Sequence, residues 1–502
     1  MPGKRTGPSP ASSPRSLAIR VLLINPPDEL EAMLGSGTHF VQKYEPLGLL
    51  YIAAVLRDLG HEVLVIDAHA EDLDLAALKQ RITALKPEAV GITTLTCSGA
   101  EVYDLGRWLG RELPGVLRVL GNIHASVFAR QYLEHDCCDA VVHGDGEDVM
   151  PMLLDRAGRR SAWGKIPALS YLDGRGRYRR TGPDAHIDDI DRLPPPAREL
   201  VDQDRYRLSP ISNQNYVPVN SVAKTVATSR GCRYRCTFCV VHGRARPRFH
   251  STRRVLDELE QLETVQHVAY VYIVDPLFLG DRERTIEICR GIRDRGLKIR
   301  WGCDAHVHQI TPELVRELAR ANCYELSLGI ESGAQRLLNR VRKGIKVEHA
   351  RKAVQCIRDN SRISVEGLFI LGLPGETPEE SRQTIRLAKS LPLHMAQFSI
   401  MTPYPGSDLF EELTLRGELD SGIRPDGGLD PSVWKGYSSY ICFTDNDPVW
   451  VTPSQTAEQL RRAQKRAFRE FYLRPGPILR QLKRVRPSTV LAMARIAWDG
   501  MF

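Results

Sequence analysis

The chain has 502 residues, of which 42% are hydrophobic and 26% charged, values typical of a globular protein with two or three domains. Its net charge of +8 comes from 69 Lys and Arg against 61 Asp and Glu, a mild excess that does not indicate nucleic-acid binding. No apolar run approaches the roughly 18 residues that a transmembrane segment needs.

Residues 1–20 are basic and rich in Pro and Ser, and they predict a disordered tail rather than a secretory signal. Residues 21–158 then alternate short apolar runs with amphipathic helical patterns. The runs predict strands at 21–25, 63–67, 89–95, 116–122 and 139–143. This alternation predicts a doubly wound, Rossmann-like α/β domain, whose ligands bind beyond the carboxyl ends of its strands.

Residues 159–220 show no clear periodicity and are interpreted as an irregular linker. Between 221 and 440 a second α/β alternation contains six predicted strands, at 222–229, 267–275, 297–303, 324–330, 363–372 and 395–401. Six such repeats predict a partial (β/α)6 TIM-type barrel with its chemistry at the carboxyl ends of the strands. Residues 441–502 predict a helical C-terminal tail whose apolar side chains face the barrel while Arg and Lys stay solvated.

The chain contains 11 cysteines, most of them isolated, which indicates a reducing, cytoplasmic setting rather than a disulfide framework. Three of them, Cys232, Cys236 and Cys239, form a tight group directly after the first barrel strand. Three thiolates leave one iron of a [4Fe–4S] cluster open, and that iron can bind the amino and carboxylate groups of S-adenosylmethionine (SAM). A tetrahedral zinc site with His242 as fourth ligand, or a buried trio without metal, remains an alternative.

The segment CRYRCTFC resembles the cluster motif of the radical SAM superfamily, which cleaves SAM to a 5′-deoxyadenosyl radical. Later segments resemble that family in the same order: IVDPLF, LGIESG, ILGLPGET and PYPGS. The resemblance implies that Cys232, Cys236 and Cys239 are the cluster ligands. It also implies six cofactor-binding residues on the barrel: Phe238, Asp275, Glu331, Ser332, Ile370 and Gly372. Of these, Phe238, Ile370 and Gly372 would lie near the adenine of SAM.

The N-terminal region resembles the cobalamin (B12)-binding domain found in one group of these enzymes, which includes methyltransferases and the anaerobic Mg-protoporphyrin ester cyclase. The segments that carry the resemblance are NPP, PLGLLYIAAVLRDLGHEVLVID, GNIHAS and VVHGDGED. It implies cobalamin contacts from the loops after the strands: Thr93, Leu95, Gly121, Asn122, His124, Gly144 and Glu147. DAHAED has Asp72 where the motif of His-ligated cobalamin proteins has Gly, so we do not predict His69 as a cobalt ligand.

We therefore predict a cobalamin-dependent radical SAM enzyme that C-methylates an unactivated carbon of a small-molecule or lipid substrate. Cys303 and His306, near the third barrel strand, are candidate catalytic groups for proton or hydrogen transfer. We expect an electron donor such as flavodoxin or ferredoxin as partner. Alternatives are an oxidative cyclase or ring-rearranging enzyme, a cobalamin or cluster sensor, and, less favoured because the RNA-binding module and extra cysteines are missing, a tRNA methylthiotransferase.

Overall fold

The computed structural model describes residues 18–35, 38, 42–207, 222–241 and 246–474. The predicted N-terminal tail lies almost entirely outside these ranges, and so does the end of the predicted C-terminal tail. Within the described ranges, no helix is both long enough and apolar enough to cross a membrane.

The N-terminal half contains a seven-stranded sheet in the order β2-β1-β3-β4-β5-β6-β7. The first five strands run parallel, and the order of the strands reverses between β1 and β3, which creates the crevice where ligands of such sheets bind. This confirms the predicted doubly wound sheet. The strands are β1 (Arg20–Asn25), β2 (Glu62–Asp67), β3 (Ala89–Thr93), β4 (Leu117–Gly121), β5 (Ala140–Val142), β6 (Leu169–Leu172) and β7 (Tyr178–Thr181).

Helices cover both faces of this sheet because alternate strand residues point in opposite directions. Leu22 packs in the same apolar layer as Leu78 and Leu105, whereas its neighbour Leu23 packs with Leu50 in the opposite layer. The helices are α1 (Leu30–Leu34), α2 (Leu47–Asp58), α3 (Leu75–Leu85), α4 (Gly99–Glu112), α5 (Asn122–Val127), α6 (Ala129–Glu134) and α7 (Gly146–Leu154).

The segment predicted as an irregular linker contains regular structure, so this part of the prediction was wrong. Strands β6 and β7 form an antiparallel hairpin that extends the sheet beyond β5, with Ala140 opposite Tyr171. The hairpin turns at Gly176, whose φ of 70° suits glycine. Each strand has only four residues, and the edge strand carries Arg179 and Arg180. Such short, charged strands give almost no periodic signal in the sequence.

The second half is an open barrel, as predicted. Its six parallel strands lie in the order β15-β14-β13-β12-β11-β8, and no pairing joins β8 to β15 in the described part of the chain. A separate two-stranded ribbon follows the first barrel strand. The strands are β8 (Ala223–Val226), β9 (Ser229–Arg230), β10 (Arg248–Phe249), β11 (Tyr270–Ile273), β12 (Arg300–Ala305), β13 (Cys323–Glu331), β14 (Ser364–Leu371) and β15 (Met395–Ile400).

Helices cover the outside of the barrel. The last of them confirms a helix in the predicted tail, but residues 441–456 before it are irregular apart from the 3-10 turn Ile441–Phe443. In that helix Leu460, Ala467 and Phe471 are fully buried in the barrel core. The helices are α8 (Thr252–Thr264), α9 (Arg282–Asp294), α10 (Pro312–Arg320), α11 (Gln335–Arg340), α12 (Val347–Asn360), α13 (Pro378–Ser390), α14 (Asp408–Leu415) and α15 (Ala457–Tyr472).

Buried charges join the two halves. The carboxylate of Glu45, from the N-terminal half, accepts a bond from Lys224 of β8 at 2.9 Å and a second bond from Arg198 of the connecting segment. Arg198 also reaches Glu258 of α8 at 2.8 Å. Removing one charge from such a buried network would leave the others buried without a partner, which is costly. These contacts therefore fix how the two sheets face each other.

Candidate active site between the two sheets

The three predicted cluster ligands lie on one loop at the carboxyl end of the first barrel strand. Cys236 is buried, whereas Cys232 and Cys239 are half-buried. Backbone bonds hold the loop at its centre: the amide of Thr237 donates to the carbonyl of Val341 at 3.0 Å, and its carbonyl accepts from Leu409 at 2.9 Å. The loop is therefore fixed from two sides by elements of the barrel.

Asp275 lies at the base of this loop rather than in the open site. Its two carboxylate oxygens accept hydrogen bonds from the amide and the hydroxyl of Thr228, both at 2.6 Å, and from the hydroxyl of Ser229 at 2.7 Å. These hydrogen bonds satisfy both oxygens of a fully buried carboxylate. Asp275 thus anchors the chain that leads from β8 into the cysteines.

The zinc alternative requires four ligands that converge on one ion. In the described residues, no three His, Cys, Asp or Glu side chains converge in that way. Its proposed fourth ligand, His242, lies outside the described residues. An iron–sulfur cluster asks for a different arrangement, because each cysteine thiolate binds a different iron. Three thiolates on one loop fit such a cluster.

Next to the cysteines, Glu331 ends β13 in an unusual conformation. Its φ is 64°, a region that non-glycine residues seldom adopt, and it marks a place where surrounding structure holds the backbone under strain. The ammonium of Lys343 bonds to the carboxylate at 2.7 Å. Lys343 is buried close to Cys236 and Cys239, and Glu331 raises the pKa of its ammonium against the opposing effect of burial. Lys343 was not predicted from the sequence, because it is one of several basic residues in the same loop and nothing in the sequence distinguishes it.

Of the other barrel residues predicted to bind cofactors, two are partly exposed and two have roles within the fold. Phe238 and Ile370 are both half-buried and pack against the same apolar cluster. The Ser332 hydroxyl is fully buried and engaged with Thr384 at 3.2 Å and with the amide of Ala334 at 3.1 Å. Gly372 has φ 79° and lies against Leu460 of α15, so its need for glycine comes from the fold.

His306 lies beside the cysteine loop. Its ring stacks on that of Tyr234, a loop residue between Cys232 and Cys236, with 3.9 Å between centroids and 12° between planes. Burial lowers the pKa of His306 to about 3, so the imidazole is neutral near pH 7. The structure therefore brings this predicted catalytic residue into contact with the cluster loop.

Cys303 requires a correction. It is fully buried in the apolar layer between the strands and the outer helices, and burial raises the pKa of its thiol far above the usual range. The neighbouring residue, Asp304, is the one that faces the inside of the barrel and is exposed. Because strand residues alternate in direction, a one-residue error of phase moves a side chain to the opposite face. We do not retain Cys303 as a catalytic candidate.

A cavity of about 660 Å³ opens at the carboxyl ends of the N-terminal strands. Ala227 and Arg230, which precede the cysteine loop, form part of its wall, so the cavity lies between the two sheets. Six of the seven residues predicted to bind cobalamin line it: Thr93, Leu95, Gly121, Asn122, Gly144 and Glu147.

Two of these residues suit a ligand that approaches the backbone closely. A β-carbon on Gly121 would meet no atom within 4 Å, so the space beside it belongs to the cavity. Asn122 adopts φ 78°, a left-handed conformation that Asn tolerates better than most other non-glycine residues. Its side-chain amide donates to the Thr93 hydroxyl at 3.0 Å. The small, open wall fits the cobalamin implied by the sequence.

Gly144 and Glu147 also have roles in the fold. A β-carbon on Gly144 would lie 2.3 Å from the carbonyl oxygen of Ala185, so only glycine fits there. The Glu147 carboxylate pairs with Arg230 at 2.6 Å, and Asp145 pairs with the same guanidinium at 2.9 Å. This clamp ties the loop after β5 to the strand that leads into the cysteines.

His124 is the one predicted cobalamin contact that does not line the cavity. It is fully buried behind the cavity wall, with its ring 4.3 Å from that of Trp434 and 4.7 Å from that of Phe128. Burial lowers its pKa to about 3. Such an apolar setting is typical of a core histidine, so we do not retain His124 in the candidate site.

His69, which the sequence argument set aside, does line the cavity. Its Nδ1 pairs with the carboxylate of Asp28 at 2.8 Å, and this hydrogen bond raises the pKa of the imidazole. The pair joins the loops that follow β1 and β2. The sequence offered no sign that these two loops meet.

Comparisons with known proteins agree with this geometry. The radical SAM superfamily model matches residues 226–388, and the B12 binding domain model matches residues 35–154. An uncharacterized methyltransferase of Pyrococcus horikoshii is 31% identical over 468 residues, which cover 92% of this chain and 95% of the relative. The anaerobic magnesium-protoporphyrin IX monomethyl ester cyclase of Rubrivivax gelatinosus is 30% identical over 406 residues, which cover 79% and 70%. The chain belongs to the radical SAM superfamily.

The fold of this radical SAM chain is also known from a solved structure. The cobalamin-dependent S-adenosylmethionine radical enzyme OxsB, with aqua-cobalamin and SAM bound, superposes with a TM-score of 0.71 at 16% identity, covering 93% of this chain and 70% of OxsB. The two family models and the relatives make the chain a radical SAM enzyme whose cofactors are SAM, a [4Fe–4S] cluster and cobalamin.

Proposed function

We propose that this radical SAM enzyme uses cobalamin to C-methylate an unactivated carbon of a small-molecule or lipid substrate. The observation that carries the proposal is the position of Arg230. Its guanidinium binds Glu147 in the wall of the N-terminal cavity, while its backbone lies two residues before Cys232. A substrate between the sheets would therefore contact both cofactor sites at once, which methyl transfer to a carbon radical demands.

We assign the following roles to residues of this chain. Cys232, Cys236 and Cys239 hold the cluster; Glu331, Phe238 and Ile370 contact SAM, with Lys343 fixing Glu331. The cobalamin contacts are Thr93, Leu95, Gly121 and Asn122. When bound, the cluster supplies the electron that cleaves SAM, and cobalamin supplies the methyl group. We further propose a low-potential electron donor such as flavodoxin or ferredoxin. We also propose two domains close to the predicted 21–158 and 221–440, the first extended by the β6–β7 hairpin and the second by α15.

An oxidative cyclase or ring-rearranging enzyme without methyl transfer is the second candidate. The observation that favours it is the 30% identity to the magnesium-protoporphyrin ester cyclase of Rubrivivax gelatinosus, which extends over both halves of this chain. The two candidates share the cluster, SAM and cobalamin sites. They differ in whether SAM is also consumed as a methyl donor, and that difference can be measured.

The test is anaerobic reconstitution with iron, sulfide and cobalamin, followed by incubation with SAM and dithionite. We expect release of 5′-deoxyadenosine from the wild type and a fall to background in Cys239→Ala. Cys356→Ala is the matched control, because Cys356 is a half-buried cysteine on α12, outside the loop, and should leave the yield unchanged. S-adenosylhomocysteine appearing as a second product supports methylation. Its absence supports the cyclase, and equal yields from both variants would refute the assigned cluster ligands.

A further inference from the structure

The inner face of the six-stranded barrel is partly open to solvent, and we call this space the hollow. Asp304 is the second-to-last residue of β12 and lies between the buried residues Cys303 and Ala305, yet it is exposed. Helices cover the outer face of the sheet, so the exposure of Asp304 comes from solvent inside the barrel. The inward residues of β15, Gln397 and Ser399, are half-buried for the same reason.

A set of polar side chains from neighbouring strands lines this hollow, and we call it the lumen belt. The Tyr272 hydroxyl donates to Asp304 at 2.7 Å, and the Ser327 hydroxyl donates to Glu366 at 3.0 Å. The Gln397 amide donates to the second oxygen of Glu366 at 2.9 Å. With Glu325 below Ser327, the belt consists of Tyr272, Asp304, Glu325, Ser327, Glu366 and Gln397.

The floor of the hollow holds two polar groups that have no partner within the described residues. Tyr270 has no exposed surface, and its hydroxyl makes no hydrogen bond. The nearby Glu325 is 7% exposed and neither of its carboxyl oxygens is hydrogen-bonded or ion-paired. A buried polar group without a partner destabilises the fold, and the Tyr270 hydroxyl is such a group. A ligand that bonds to this hydroxyl and to Glu325 would satisfy both.

The charges around the hollow specify the ligand further. Burial and the neighbouring carboxyls of Glu366 and Asp304 raise the pKa of Glu325 to about 8. Burial raises the pKa of Asp304, and the charge of Lys343 opposes this only in part. Neither Asp304 nor Glu325 has an ion pair in the described part of the chain, and Lys343 is already paired with Glu331. Like-charged carboxyls in one buried space resist ionisation unless a cation joins them. A bound anion would raise the pKa of these carboxyls further and gain no ion pair.

The belt lies beneath the proposed SAM contacts. Ser327 and Glu366 each precede a proposed contact, Glu331 and Ile370 respectively, by four residues on the same strand. At the usual rise of a strand, four residues span about 13 Å toward its amino end. The hollow thus extends from the proposed SAM site toward the amino ends of the barrel strands.

We propose that the lumen belt binds the protonated amino group of the substrate, with Asp304, Glu325, Glu366 and the Tyr270 hydroxyl as its acceptors. The substrate is therefore an organic amine, and molecules that would place a phosphonate or a free carboxylate in the hollow are excluded. This inference rests on the proposed function, since it concerns the substrate of that same site.

The test uses three fluorinated molecules of one shape: 4-fluorobenzylamine, 4-fluorobenzyl alcohol and 4-fluorobenzoate. Each is added to the reconstituted enzyme with SAM but without reductant, and binding is read from broadening of its 19F NMR line. We expect the amine to bind at least about tenfold more tightly than the benzoate, which corresponds to about 1.4 kcal/mol. The alcohol should fall between them. Equal broadening by all three would overturn the proposal.

Two sets of variants locate the binding. The double change Glu325→Gln with Glu366→Gln should abolish the preference for the amine, whereas Glu348→Gln, an exposed control on α12, should keep it. Tyr270→Phe removes a hydroxyl that has no partner, so the melting temperature should not fall while amine binding weakens. Amine binding that persists in the double variant overturns the proposal.

SAM itself carries an amino group, so its affinity is measured in the same variants. An unchanged affinity for SAM supports a substrate site, whereas a loss of SAM binding in the double variant would assign the belt to the cofactor and overturn the inference. Because binding is read without turnover, failure here is distinguishable from failure of SAM cleavage, which tests the proposed function.

Discussion

At the scale of single residues, Gly121 is a glycine that the ligand site requires and the fold does not. Its backbone is extended, with φ −146°, a conformation open to any residue, and a β-carbon would touch nothing. The sheet therefore does not require glycine at the end of β4. The cavity does, because any larger side chain would project into the space that the cobalamin is proposed to fill.

We predict that Gly121→Val leaves the free energy of unfolding of the cobalamin-free protein within about 0.5 kcal/mol of wild type. Cobalamin binding, measured by the absorbance of the retained cofactor, should weaken by about tenfold or more. Gly115→Val is the control, since Gly115 is exposed and equally free of contacts. Unchanged cobalamin affinity in Gly121→Val would place the cofactor elsewhere.

The sequence predicted residues well where a motif fixed their position along the loop, and poorly where direction mattered. The cysteine loop and the loop carrying Gly121 and Asn122 depend only on order along the chain. The directions in which Cys303 and Asp304 point depend on which residues of β12 face the inside of the barrel. The sequence around them does not show this. His124 lies on a helix whose buried side is set by Trp434, a residue 310 positions further along the chain.

At the scale of elements, α15 completes the barrel wall beside β15. The ring of Phe398 on that strand lies 5.5 Å from Phe468 and 6.2 Å from Phe471 of the helix. The helix begins with a capping box in which Thr456 and Gln459 bond to each other's backbone amides. Its apolar spacing made it predictable from the sequence, in contrast to the four-residue strands of the β6–β7 hairpin.

We predict that Phe471→Ala lowers the free energy of unfolding by about 3 kcal/mol, because it leaves a cavity under the helix. Thermal unfolding followed by circular dichroism would detect this as a clear fall in the melting temperature. On the same helix, Arg462→Ala removes a side chain that is 77% exposed and should change stability by less than about 0.5 kcal/mol. Similar effects of the two variants would show that α15 contributes little to the barrel.

At the scale of the whole molecule, a second charged contact joins the halves near the cavity. Glu29, Glu101 and Lys435 come from the loop after β1, from α4 and from the short 3-10 helix Pro431–Gly436, and Lys435 reaches both carboxylates. Burial, and then the hydrogen bond that protonated Glu101 donates to Glu29, raise the pKa of Glu101 to about 7, while the same bond lowers the pKa of Glu29. The two carboxyls therefore share one proton under mildly acidic conditions.

A carboxyl whose pKa is raised by folding stabilises the protein while it is protonated, and this contribution is lost as pH rises through the folded pKa. We predict that, as pH rises from about 5 to about 8, the deprotonation of Glu101 lowers the free energy of unfolding by roughly 1–2 kcal/mol. Glu101→Gln should remove that share of the pH dependence in urea unfolding measured at both pH values. An identical pH dependence in wild type and variant would contradict the shared proton.

The central claim is that Cys232, Cys236 and Cys239 hold a cluster with one open iron that binds SAM. Electron paramagnetic resonance of the reconstituted, dithionite-reduced enzyme, with and without SAM, tests it most directly. We predict a reduced-cluster signal whose g values shift when SAM is added, because SAM ligates the open iron. A signal that SAM leaves unchanged, or a protein that retains tetrahedral zinc in place of iron, would contradict the account.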